Sequence, residues 1–327
     1  MAQSAYEKEQ IVHMVKRAVQ HASAGTTDST DEIYRLPVES YSPRSWDEEM
    51  NAIFRRLPLM LGLSSEMRVA GAYKAMKVLD VPVLMVRGED MTMRAFINAC
   101  RHRGRAVTQT HEESGHVRSF VCPYHAWRFG TDGALLSVTD PRKFGDVDKE
   151  ARGLVELPCE ERVGFIWVCI TPGVTFNLTE YLGGMLDELT CLEADKWFVH
   201  GTSKLESANW KITHDGYLES YHIPFLHRDT LAKFWNRESA SSVSLYDAFG
   251  PLPCGPHQRM AGNAWGNDPV LMSRMKDVPE SEYAEKYFHA VRTLFPHISI
   301  SADKHGGMVS QLFPVAPDRC ITIQNHV

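Results

Sequence analysis

Apolar side chains recur every three to four positions through AYEKEQIVHMVKRAVQ, residues 5–20, and predict an amphipathic N-terminal helix. A polar stretch, HASAGTTDSTDE, follows it. Ser45-Trp-Asp-Glu48 reads as a capping box that opens a second helix running to about Arg56. From Met67 the period shortens from about four to two. MRVAGAY, PVLMVRG, MRAFINA, HVRSFVC, LVELPC and RVGFIWVCI are short strand candidates separated by Gly, Asp and Asn. They predict a compact all-β domain over 67–172, ending near Pro172, with residues 1–66 before it and a third region, 173–327, after it. In that third region NLTEYLGGMLDELTCL, Asn209 to Tyr221, and SEYAEKYFHAVRTLF are expected to be helical. The tail GGMVSQLFPVAPDRCITIQNHV is expected to form a strand, a turn over Pro314–Arg319 and a second strand.

Composition narrows the class without naming it. At 327 residues the chain can hold a large core and more than one domain, and 43% hydrophobic with 23% charged residues is ordinary for a globular protein. A net charge of −6 argues against non-specific nucleic-acid binding, and no run of five basic residues occurs. The longest apolar runs, such as Leu57–Leu63, are too short to span a bilayer. The first ten residues are charged, without the apolar core of a secretory signal. Seven cysteines, an odd number scattered along the chain, do not suggest a disulfide framework, so a reducing cytoplasm is expected.

Candidate chemistry concentrates in two places. In the β region, NACRHRG carries Cys100 and His102, and CPYHAW carries Cys122 and His125. Two thiols and two imidazoles suit a tetrahedral zinc or a two-iron cluster with one iron on the thiolates and one on the imidazoles. Zinc sites usually group Cys with Cys and His with His, whereas each loop here mixes one of each, which favours the cluster. Further on, NWKITHDGYLESYHIPFLH, residues 209–227, holds three His, one Asp and one Glu. His222 and His227 are five apart, about 140° around a regular helix, too divergent to share a metal. Pro224 lies between them and is expected to break the helix so that the second imidazole swings back.

NACRHRG together with CPYHAWRFGTDGAL, and upstream GAYKAMKVLDVPVLMVRGEDMTMRAFIN, resembles the Rieske domain of Rieske non-haem iron oxygenases, the ring-hydroxylating oxygenase α-subunits. The 19 residues between His102 and Cys122 suggest a small insertion at HEESGH. The segment 209–227 is similar to that family's iron motif. The resemblance implies an α+β chain, an all-β Rieske [2Fe–2S] domain plus a helix-grip catalytic domain of antiparallel sheet and helices. It implies Cys100, His102, Cys122 and His125 as ligands of the cluster, and His222 and His227 as ligands of a mononuclear Fe(II). Glu219 stands where the family usually has Asp, a carboxylate that links a cluster imidazole of one subunit to an iron imidazole of the next. Asp215 is a candidate second carboxylate near the iron, as a supporting group or stand-in ligand. The family's third ligand is an Asp on a C-terminal helix expected beyond Val327, so the catalytic domain is expected to be incomplete in this sequence.

The implied activity is that of a terminal oxygenase component. Electrons from a separate NAD(P)H-dependent reductase, with or without a ferredoxin, would enter the cluster, cross by Glu219 to the iron, and activate O₂ there. The small organic substrate, expected to be aromatic as in aromatic hydrocarbon catabolism, would be mono- or dihydroxylated or oxidatively demethylated. The resemblance also implies a homotrimer or an α3β3 assembly, with no membrane or nucleic-acid partner. Two other classes remain open: an electron-transfer or ligand-binding Rieske protein with a non-catalytic pocket, and a zinc-stabilised structural module. The remaining histidines, His257, His289, His297, His305 and His326, are expected to be ordinary surface or core residues, with His297, Phe234, Trp235 and Leu271 as pocket candidates. His214 is expected to be a satisfied local histidine and Tyr221 a packing residue. Cys159, Cys169, Cys191, Cys254 and Cys320 are expected to be small buried hydrophobes.

Overall fold

The computed structural model describes residues 31–219, 222–229, 244–249, 257–262, 279, 290–303 and 305–327, with positions 9, 12–14, 16, 17, 20, 21, 24 and 26 before them. The described positions from 9 to 24 are helical, as their spacing predicts. The next helix, α1 (Pro43–Glu49), starts earlier than the capping box at Ser45 suggests. Its N-cap is Ser42, whose side chain accepts from the Arg44 N–H, and Pro43 presets the first helical φ. A π turn, Met50–Phe54, continues it and buries Met50 and Phe54.

Eleven short strands then follow: β1 (Leu59–Leu63), β2 (Ala72–Val78), β3 (Val81–Arg87), β4 (Met93–Ile97), β5 (Glu113–His116), β6 (Phe120–Val121), β7 (Arg128–Phe129), β8 (Leu135–Ser137), β9 (Glu156–Leu157), β10 (Cys159–Arg162) and β11 (Phe165–Val168). They form three antiparallel sheets, ordered β1-β11-β10, β5-β2-β3-β4-β9 and β6-β7-β8. The all-β region expected from Met67 therefore begins at Leu59. Every residue of β1 is buried, so it shows no alternation and reads as an apolar run rather than a strand.

The third region opens on α2 (Leu178–Leu182) and α3 (Met185–Cys191). The single helix expected there divides at Gly183, whose φ of 51° ends the first segment. The edge strand β12 (Gly201–Ser207) follows, mostly exposed and so without an apolar pattern to betray it. After two short helices, β13 (Ser244–Phe249), β14 (His257–Gly262), β15 (Ala290–Leu294), β16 (Ile298–Asp303), β17 (Gly306–Ala316) and β18 (Arg319–His326) complete the chain. Among the described residues they build a seven-stranded antiparallel sheet, ordered β12-β18-β17-β16-β15-β14-β13. The helix expected over 281–295 is corrected where it is described: 290–294 is a strand paired on both sides, with Arg292 opposite Arg259 and Ile300. The predicted strand-turn-strand tail is present as β17 and β18.

Three apolar clusters hold these layers. Phe120, Phe129, Trp127, Cys100 and Cys122 share one core inside the first β domain. A second packs α2 and α3, through Leu178, Leu182, Met185 and Leu189, against Ile298, Ile300 and Val309 of the large sheet. The third joins the domains, with Phe54, Leu61 and Val83 meeting Trp210, Leu312 and Phe313. Polar ties reinforce that junction: Gln311 Nε2 donates to the Met60 carbonyl at 2.8 Å, and the Met60 N–H donates to His297 Nε2 at 3.1 Å. Among the described residues no helix is long and apolar enough to cross a membrane.

Candidate metal centres

The two Cys/His loops are built on the same turn. The Cys100 N–H donates to the Arg105 carbonyl at 2.7 Å, and Gly104 N–H returns to the Cys100 carbonyl at 2.8 Å. In the second loop the Cys122 N–H donates to the Trp127 carbonyl at 2.9 Å, and Ala126 N–H returns to the Cys122 carbonyl at 2.9 Å. Each turn needs a positive φ four residues after its cysteine, supplied by Gly104 at 77° and by Ala126 at 53°. Asn98, fully buried, roots the first loop: its side chain donates to Thr108 Oγ1 at 2.7 Å and accepts from Val107 N–H at 3.0 Å.

These loops bring the four donors together in two pairs. The Cys100 and Cys122 thiols are buried side by side, and burial, with Cys122 adding, pushes the Cys100 thiol up to about 11. The His102 and His125 rings lie 4.6 Å apart, edge to face. Trp127 stacks on His102 at 4.9 Å with a 10° interplanar angle, and Phe144 lies near-perpendicular to it at 5.3 Å. Burial, then His125 and Arg103, holds the His102 imidazole below its usual range and so neutral, the form that binds a metal. His102 Nδ1 is buried without a hydrogen-bond partner, which a metal bond would satisfy. Thiol beside thiol and imidazole beside imidazole is the division a two-iron cluster requires. One tetrahedral zinc would instead need all four donors at one point.

The second centre follows α4 (Trp210–Asp215). Asn209 caps that helix through Oδ1, which accepts from the Lys211 N–H at 2.9 Å, while its amide donates to the Pro317 carbonyl at 2.6 Å. Beyond a short turn, Glu219 grips His222 twice. Its Oε2 accepts from the His222 backbone N–H at 3.1 Å, and its Oε1 accepts from the ring Nδ1–H. A carboxylate on Nδ1 leaves Nε2 as the free ligand nitrogen and fixes the plane of the ring. The single helical turn α5 (Ile223–Leu226) separates His222 from His227. Pro224 sits in the first turn of α5 rather than breaking a longer helix, and the two histidines flank the turn from outside. Their rings stand 5.3 Å apart at 64°, close enough for one ion to bind a nitrogen of each.

The other candidates fall elsewhere. The Asp215 carboxylate accepts from Tyr41 Oη–H at 3.4 Å, so its recorded partner lies on the N-terminal segment rather than on an iron histidine. Partial desolvation there pushes its carboxyl above the usual range. His214 is not the satisfied residue expected: it is buried, its Nε2 has no partner, and burial pushes it down to about 4. His297 is a core residue beneath β1, pushed down to about 3 by burial and then by His214. His257, donating to the Tyr181 carbonyl and accepting from Phe295 N–H, is a satisfied structural histidine. Cys169 and Cys320 are buried as expected, whereas Cys159 and Cys191 are half-buried. Tyr221, Phe234, Trp235, Cys254, Leu271 and His289 lie outside the described residues. Trp127 and Phe144, which hold His102, are functional neighbours that spacing alone does not single out; Trp127 could have been read from its place in CPYHAW.

Two family models match. Residues 58–155 match the Rieske [2Fe-2S] domain, and residues 194–324 match the catalytic domain of the ring hydroxylating alpha subunit. The chain belongs to the Rieske ring-hydroxylating oxygenase α-subunit family. It is 33% identical over 218 residues to a glycine betaine monooxygenase oxygenase subunit of Chromohalobacter salexigens, covering 64% of this chain and 48% of that one. Against the large oxygenase component of a naphthalene 1,2-dioxygenase system of Ralstonia sp it is 34% identical, over 57% of this chain and 43% of the other. The chain thus spans about half the length of the curated relatives it matches. Among solved structures, the quaternary ammonium Rieske monooxygenase CntA with L-carnitine superposes with a TM-score of 0.71 at 22% identity, over 90% of this chain and 79% of that one. Naphthalene 1,2-dioxygenase from Rhodococcus sp. bound to indole gives 0.73 at 19% identity, over 99% and 77%. The two domain matches imply a Rieske cluster and a mononuclear iron as cofactors, the groups that the paired donors fit.

Proposed function

We propose that this chain is the terminal oxygenase component of a Rieske non-haem iron system. It would work with O₂ and a separate NAD(P)H-dependent reductase, with or without a ferredoxin. The observation that carries the reading is Glu219 holding His222 by Nδ1 while His227 stands 5.3 Å away, in the same chain as the paired thiols and imidazoles. Cys100 and Cys122 would hold one iron of the cluster, His102 and His125 the other, and His222 and His227 the mononuclear iron. When bound, the cluster supplies electrons one at a time and the mononuclear iron a centre for O₂ activation. The protein's part is to keep His102 neutral against Trp127 and Phe144, to bury the thiols from water, and to hold the His222 ring through Glu219. The half-buried His125 beside exposed Tyr124 gives the cluster an accessible end. A head-to-tail trimer would bring that end to the Glu219 segment of a neighbouring protomer.

Within this class the substrate proposed is a small quaternary ammonium compound rather than an arene. Glycine betaine and carnitine monooxygenase subunits recur among the relatives, and Glu219 departs from the family's usual Asp. The test is iron and acid-labile sulfide per chain, followed by O₂-dependent turnover with reductase on glycine betaine, carnitine, anthranilate and naphthalene. About three irons, about two sulfides and oxidation of a trimethylammonium substrate are expected. Turnover of naphthalene alone would overturn the substrate class. About two irons and no turnover would leave a Rieske electron-transfer protein.

A further inference from the structure

A charged network that neither metal centre uses fastens the N-terminal segment to α4. Glu49, the last residue of α1, is largely buried, with 14% of its side chain exposed. Its Oε2 accepts from Trp210 Nε1–H at 2.9 Å, and its Oε1 accepts from Lys211 Nζ. Lys211 Nζ also donates to the Ser40 carbonyl and lies 5.4 Å from the centre of the Tyr41 ring. Tyr41 in turn bonds Asp215 at the far end of α4. Glu49, Ser40 and Tyr41 all lie outside the two matched domains, 58–155 and 194–324.

One carboxylate therefore grips two consecutive residues of one helix. Successive side chains leave a helix about 100° apart, so binding both restrains its rotation as well as its position. Trp210 adds a wedge, meeting the Phe54 ring edge to face at 5.0 Å. What α4 carries is the iron motif. Only the turn 216–218 separates it from Glu219, and Tyr217 N–H and Leu218 N–H tie that turn back to His214 and Asp215, each at 2.9 Å. A rotation of α4 would be passed through this turn to the carboxylate that orients His222.

We propose that Glu49 is a positioning residue for the mononuclear iron site, acting through Trp210 and Lys211 on the placement of Glu219 and His222. This rests on the reading above that His222 and His227 hold iron. The test uses the full chain with its cluster in place. Glu49→Gln, Lys211→Met and the double variant are compared for Fe(II) affinity by chelator competition, with the cluster's visible absorbance and the Tm read in parallel. Each single variant is expected to bind mononuclear Fe(II) about tenfold more weakly, with no further loss in the double variant and with cluster absorbance kept. Lys211→Arg, which keeps the charge, is expected to recover most of the affinity. If Glu49→Gln does not fold, Lys211→Met, which leaves the Trp210 bond in place, carries the test. Unchanged affinity, additive losses, or equal loss of iron and cluster would overturn the proposal. Wild-type protein that takes no iron beyond its cluster would overturn the functional reading with it, whereas normal wild-type uptake with indifferent variants overturns the positioning alone.

Discussion

At the scale of single residues, the two centres differ in what holds their imidazoles. His102 is held by apolar contact, stacked on Trp127 with Phe144 against both rings, and its buried Nδ1 has no hydrogen-bond partner. His222 is held by charge, through both oxygens of Glu219. Removing that carboxylate's charge should therefore act on metal affinity and not on the cluster. Glu219→Gln is expected to weaken Fe(II) binding by roughly 10- to 100-fold, the usual cost of losing a carboxylate behind a ligating histidine. Isothermal titration with Fe(II) under anaerobic conditions checks this, and an unchanged dissociation constant would remove Glu219 from the site. The ligand types were legible in the sequence because each loop carries its own cysteine and histidine within a few residues. The partner of Asp215 was not, since Tyr41 is 174 positions away.

Among the elements, the short β7–β8 hairpin beside the cluster leaves little room for change. Gly133 lies in the β7–β8 hairpin with φ 82°, and a Cβ there would sit 2.4 Å from the Phe96 ring. Phe96 packs in the same core as Cys100 and Cys122. Gly133→Ala thus combines an unfavourable backbone region, costing about 1–2 kcal/mol, with a clash against a buried ring. A lower Tm together with loss of visible absorbance on warming is expected, and a Tm within a degree of wild type would contradict it. Short runs of strand-forming residues bounded by turn residues located β3, β4, β6, β9 and β11 of this domain. That reading missed β1, which reads as a plain apolar run, and β12, whose residues carry no apolar alternation. It took 281–295 for a helix because apolar spacing in a short segment fits both periods, and only the pairing of β15 with β14 and β16 decides between them.

For the whole molecule, acid sensitivity is set where the layers meet. Burial pushes His214 and His257 down to about 4, and His297 to about 3, from a usual value near 6.5. In the unfolded chain all three bind protons as pH falls below about 6.5, while in the folded chain His214 and His257 stay neutral until about 4 and His297 until about 3. The unfolded state thus gains protons first, so stability is full above 6.5 and declines as pH drops toward 4, by up to about 1.4 kcal/mol per pH unit for each histidine. Urea unfolding at pH 7.5, 6 and 5 should show this decline, and His257→Asn should make it shallower. An identical pH slope in the variant would show that His257 is not the source.

The sequence by itself determined the donor inventory of both centres, the loops that carry the cluster ligands and the final pair of strands, because each is encoded within a few neighbouring residues. The tertiary structure alone decided that thiol meets thiol and imidazole meets imidazole, that His214 and His297 are buried near each other, and that Glu49 reaches α4. Those contacts join segments far apart in the chain, and local periodicity describes one element at a time, whereas packing chooses which elements meet.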